Sequence, residues 1–162
     1  MNPFRLFFSF YGRLNRARFW LLAILWGIVG PIVLTLIIGI TALVAGRSLT
    51  DEAFDSEKIV DLILGYSVLF LGLAIAGTAF FAGGLSIGVR RLHDRNKSGW
   101  WILLLYVVPF LIGTVSKETP DDLWSAGLAL IGLILWLWGL VELGFRRGTA
   151  GPNRFGPDPL PR

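Results

Sequence analysis

Residues 90–101, RRLHDRNKSGWW, hold four cations, the chain's only histidine and a tryptophan pair. Three chemistries fit such a set. The arginines can hold an anionic head group or phosphate ligand, His93 and Asp94 can act as acid and base on a lipid phosphate, or the stretch is a polar elbow between two membrane helices. If the preceding helix runs to about Arg95, Arg90 and Asp94 lie four apart and Arg91 and Asp94 three apart, which gives the carboxylate two cationic neighbours and makes Asp94 a salt-bridge partner. His93 and Asp94 are adjacent, so on a helix they point about 100° apart and form no oriented base dyad. No serine, threonine or second carboxylate is spaced to complete a nucleophile and base, and no catalytic residue is assigned.

Apart from Asp61, at the outer edge of its segment, Glu142 is the one acid inside an apolar segment. Intramembrane carboxylates relay protons or bind ions, and a small transporter or channel would use Glu142 with Thr35 and Thr78. Arg146 follows at i+4, however, and no row of carboxylates accompanies Glu142, so an interfacial ion pair is the simpler reading. The chain has no cysteine, which excludes disulfides, iron-sulfur clusters and thiolate zinc sites, and its lone His93 excludes any site needing two imidazoles. No metal or cofactor is expected. The pI near 10.0 does not point to nucleic acid, because the basic residues flank apolar segments instead of forming a separate stripe.

The elements that must position these residues are membrane helices. With 54% apolar and 16% charged residues, and a mean hydropathy of +0.67, the composition fits a bilayer better than water. Four apolar stretches, 19–45, 59–89, 99–115 and 123–145, approach the roughly 20 residues needed to cross about 30 Å of hydrocarbon. The first is longer than the apolar run of a signal peptide, roughly 7–15 residues, and is expected to be retained. The expected fold is therefore all-α: a single integral membrane domain with four transmembrane helices. Pro31 should kink the first span, and Pro109 interrupts the third, which is the shortest and is open to a tilted or re-entrant reading.

Charge sets the orientation. Arg5, Arg13, Arg16 and Arg18 precede the first span, Arg90, Arg91, Arg95 and Lys97 follow the second, and Arg146, Arg147, Arg154 and Arg162 follow the fourth. The remaining connections carry only Arg47, Lys58 and Lys117 among eight carboxylates, Asp51, Glu52, Asp55, Glu57, Asp61, Glu118, Asp121 and Asp122. Lys and Arg enrichment marks the cytoplasmic side, so both termini and the 90–98 loop are expected there.

Punctuation agrees with these boundaries. TPDD places Thr119 as N-cap and Pro120 at the first position of helix four, and Ser98 is placed to cap helix three. Trp20, Trp100, Trp101 and Trp124 fit interfacial depth. The aromatic and arginine-rich NPFRLFFSFYGRLNRARFW fits a short amino-terminal interfacial helix. Gly84 with Gly88, and Gly72 with Ala76, let helices approach closely, within one chain or in a homo-oligomer. The loop 46–58 is short and acidic, and neither it nor the Pro/Gly-rich tail 146–162 holds enough apolar residues for a core of its own.

Three pieces, GRLNRARFW before the first span, RRLHDRNKSGWW between the second and third, and GPNRFGPDP at the end, together resemble the DUF805 family of YhaH/YhaI-like bacterial inner-membrane proteins of unknown function. The resemblance spans nearly the whole chain and implies a multi-pass protein of the cytoplasmic membrane with no established activity. It also gathers the pieces on one surface, where the tail either stays a stiff solvated strand or docks Asn153, Arg154 and Phe155 against the helix ends. The candidate face for anionic lipid head groups or a membrane-protein partner is Arg13, Arg16, Arg90, Arg91, His93, Asp94, Arg95, Trp100, Trp101, Asn153 and Arg154.

Overall fold

The computed structural model describes residues 3–49, 56–118 and 123–160. Every regular element among them is a helix: α1 (Pro3–Phe8), α2 (Arg16–Leu49), α3 (Ser56–Asp94), α4 (Val108–Glu118) and α5 (Leu123–Leu140), with π-turns at Leu103–Val107 and Val141–Phe145 leading into α4 and out of α5. In hydrocarbon no water satisfies the backbone, and long apolar runs form helices because a helix pairs its own N–H and C=O groups. Three stretches, Arg16–Leu43, Ile63–Asp94 and Leu123–Phe145, are long and apolar enough to cross a bilayer, with a shorter apolar helix at Leu103–Ser116. The Thr119–Pro120 cap and the acidic residues 51–55 fall outside the described residues. The flanks expected as loop, 46–49 and 56–58, are helical.

Contacts divide the chain into two compact units, Ile24–Gly83, and Met1–Ala23 with Gly84–Arg162. In the first, α2 and α3 meet where Trp26 stacks on Phe80, ring centroids 5.7 Å apart and 6° from parallel, and Trp26 Nε1 donates to the Phe80 carbonyl at 2.8 Å. Gly30 and Gly83 make room for these rings, since a Cβ at either would overlap Phe80 or Trp26. Pro31 stands inside α2 without ending it. Gly72 has open space around it, and Thr35 and Thr78 are exposed.

The second unit holds the polar chemistry. Helical backbone runs through 101–118, about 27 Å at the α-helical rise. Pro109 does not break this helix. It has no N–H for the Leu105 carbonyl four residues earlier, and the π-turn just before it, closed by Val108 N–H to the Leu103 carbonyl, widens the backbone there. The Leu105 carbonyl lies against Gly139 of α5, where a Cβ would stand 3.0 Å from the oxygen. Gly132, seven residues back on the same face, lies against Ile112 and the Pro109 carbonyl. Of the glycines singled out in α3, Gly88 packs under Ile102 whereas Gly84 is exposed. Ser98 meets the start of helix three through its carbonyl, which accepts from Trp101 N–H at 3.3 Å.

Candidate functional site

Helix α3 ends at Asp94 because Asn96 takes a left-handed conformation, φ 56°. Asn96 N–H then reaches the His93 carbonyl and Lys97 N–H the Leu92 carbonyl, a Schellman closure in which Asn stands where Gly is commonest. The Asp94 carbonyl accepts from Thr149 N–H at 2.8 Å and Thr149 Oγ1 at 3.0 Å. The tail therefore completes the cap.

The Asp94 side chain has two cationic partners, and one differs from expectation. Arg91 donates to Oδ2 at 2.5 Å, as the i+3 spacing predicts. Arg90 does not pair with Asp94. Its side chain leans back toward α1, where it donates to the Leu6 carbonyl at 2.5 Å while Ser86 Oγ donates to the Phe7 carbonyl. The second partner is Arg13, whose Nε and Nη2 both lie 3.1 Å from Oδ1. All three are enclosed, with side-chain exposures of 1% for Arg13, 0% for Arg91 and 4% for Asp94.

Helix ends explain where the other guanidinium hydrogens go. The last carbonyls of a helix have no partner within it, carry the negative end of its dipole, and need donors when water is excluded. Around the end of α5, Arg91 Nε donates to Leu143 O at 2.8 Å, Arg91 Nη2 to Arg146 O, Trp20 Nε1 to Gly144 O at 3.0 Å and Arg16 Nη1 to Phe145 O at 3.3 Å. Arg13 reaches Thr149 O and Gly151 O, each at 2.6 Å. Trp20, expected at the membrane interface, thus joins two helices; Trp100 and Trp124 are exposed, and Trp101 meets Trp138 edge to face. Asn15 starts α2 by accepting from Arg18 N–H at 2.8 Å, an N-cap the sequence reading missed.

Glu142 is 1% exposed and has three cations, one of which is the expected Arg146 at 2.9 Å. Arg95 Nε and Lys97 Nζ stand 2.9 and 2.7 Å from its other oxygen, and Lys97 also lies 5.0 Å from the centre of the Trp101 ring. The loop after α3 is therefore tied to α5 by charge.

His93 and Asp94 turn apart. The His93 ring stacks on Phe155, centroids 3.9 Å apart and 6° from parallel, and its Nδ1 lies 3.3 Å from the Gly12 carbonyl. The tail is docked: Asn153 Nδ2 donates to His93 O and to Thr149 Oγ1, both at 2.9 Å, and Arg154 covers Phe155 and donates to Asn96 O at 3.1 Å. Gly148 touches the Asp94 carboxylate so closely that a Cβ there would collide with it. Of the eleven face residues, Arg13, Arg90, Arg91 and Asp94 are turned inward, Arg16, Arg154, Trp100 and Trp101 are exposed, and Arg95, His93 and Asn153 are partly covered. Among the described residues no group of three or more His, Cys, Asp or Glu side chains gathers as a metal site.

The family profile described as "Protein of unknown function (DUF805)" matches residues 7–157. Over 152 residues, 93% of this chain and 86% of the relative, the sequence is 31% identical to "Uncharacterized protein YiiR" of Escherichia coli (strain K12). It is 29% identical to "Inner membrane protein YhaI" and 27% to "Inner membrane protein YhaH" of the same strain, over 93% of this chain and 86% and 87% of those relatives. No solved structure matches.

Proposed function

The chain belongs to the DUF805 family, membrane proteins of unknown function, and from that premise we propose a four-span protein of the bacterial inner membrane, both termini cytoplasmic, that binds anionic lipid on its basic face without catalysing a reaction. The observation that carries this reading is the closure of all three basic segments on one another, through Arg13 with Asp94, Arg95 with Glu142, and Arg154 with Asn96. Segments in contact share a side of the membrane. If α5 crosses from 123 to 145, then 99–118 must also cross to bring the chain to its start, and about 27 Å of helix suffices with slight thinning of the bilayer.

Closure also sorts the cations. Arg13, Arg90 and Arg91 satisfy helix ends and Asp94, while Arg5, Arg16, Arg18, Arg147 and Arg154 are exposed. A cation near an anionic leaflet contributes about 1 kcal/mol, roughly a fivefold preference. The test is native mass spectrometry of the protein released from its own membrane in mild detergent. Phosphatidylglycerol or cardiolipin should be enriched at least about fivefold over phosphatidylethanolamine, relative to the bulk membrane, and the enrichment should fall with salt. Retention at the bulk ratio would overturn the reading.

A further inference from the structure

Beside the closed Asp94 network lies a cavity of about 310 Å³, between the start of α2 and the tail. Its polar lining includes Asn15, Arg16, Asp94, Arg147, Thr149 and Asp158. The acceptors in this wall are occupied. Both Asp94 oxygens are held by Arg13 and Arg91, and Asp158 accepts from Gly151 N–H at 2.9 Å and Leu160 N–H at 3.0 Å, with Arg13 4.0 Å away. Its donors are not. Arg147 has no hydrogen-bond or ion-pair partner among the described residues, and Arg16 makes one long bond, to the Phe145 carbonyl.

We propose that this cavity is a site for a phosphate ester, bound by the guanidinium groups of Arg16 and Arg147. A wall whose carboxylates are already neutralised and whose guanidinium forks are open calls for a ligand rich in acceptors, and phosphate oxygens match the fork two at a time. The volume is at the lower end of small-ligand pockets, enough for a phosphate with a glycerol-sized substituent. Arg16 opens the first apolar helix and Arg147 follows the last by two residues, so the site stands at head-group depth, and Pro159 and Leu160 give its wall an apolar side. The assignment rests on the lipid-binding reading above and names where on the face the head group sits.

The test uses full-length protein in mild detergent and two variants of equal charge loss. Arg16→Gln/Arg147→Gln should lower phosphatidylglycerol retention by at least about tenfold with the protein still folded, since the exposed Phe145 residue can take water in place of Arg16; Arg5→Gln/Arg18→Gln, at exposed positions outside the cavity wall, should lower it much less. Equal losses in the two variants would mean diffuse attraction, overturning the cavity and leaving the lipid-binding reading intact. If the wild type retains no anionic lipid, that reading fails, and calorimetry with glycerol 3-phosphate decides the cavity: binding lost in Arg16→Gln/Arg147→Gln identifies a soluble ester as the ligand, and no binding to wild type overturns the site. Displacement of bound lipid by glycerol 3-phosphate, but not by inorganic phosphate, would show that the glycerol portion is recognised as well.

Discussion

Replacing Asp94 by Asn should destabilise the protein by about 3–5 kcal/mol, because it leaves two enclosed guanidinium groups without their counter-charge. Arg13 and Arg91 cannot swing into water, since their other hydrogens are held by the carbonyls of Thr149, Gly151, Leu143 and Arg146. Unfolding followed by detergent denaturation, with the variant and wild type in the same mixed micelles, measures the loss. A control separates this network from an ordinary buried ion triad. Where charged groups bind only one another, apolar replacement of the whole set is often neutral or stabilising. Here Asp94→Leu combined with Arg13→Met and Arg91→Met should remain at least as unstable as Asp94→Asn, because the helix-end carbonyls lose their donors. Recovery to wild-type stability would show that the caps contribute nothing.

Arg91→Lys should have the second largest effect, about 3 kcal/mol, although the charge is kept. An arginine presents a planar fork, and Arg91 uses it in three directions, toward Asp94, toward Leu143 O and, through its second terminal nitrogen, toward Arg146 O. A lysine has a single nitrogen and leaves two of these three partners without its donor, at about 1–3 kcal/mol each. Arg90→Lys should cost less, since Arg90 caps the short α1, whose Phe4 is 67% exposed. The same denaturation assay ranks the two. If Arg90→Lys proved the more damaging, the account of which helix ends are sealed from water would be wrong.

Hydropathy and local spacing carried a definite part of this arrangement. The fourth apolar segment coincides with Leu123–Phe145, and the Arg91–Asp94 and Glu142–Arg146 pairs follow from helical period alone. Arg13 reaching Asp94 from 81 residues upstream, and Arg95 and Lys97 reaching Glu142, carry no periodic signal. Helix capping by arginine was illegible for a different reason: its targets are backbone carbonyls, which every residue has, so nothing in the side-chain sequence marks them. The Schellman end at Asn96 and the N-cap at Asn15 do leave a mark, a lone Asn at a helix boundary. Pro109 looked like an interruption because a π-turn that absorbs a missing N–H has no compositional signature. Tail docking was anticipated only as one of two alternatives, and Asn153 decides it through hydrogen bonds that proline content cannot reveal.

The amino-terminal segment, the turn after α3 and the tail, closed on one another, should all face the cytoplasm. The chain lacks cysteine, so single cysteines placed at the exposed Tyr11, Asn96 and Pro157 report unambiguously on labelling by a membrane-impermeant maleimide. All three should be protected in intact spheroplasts and should react once the membrane is opened. Labelling of one or two of them from outside would break the shared closure, and labelling of all three would put the closed face on the opposite side; either result would contradict the arrangement.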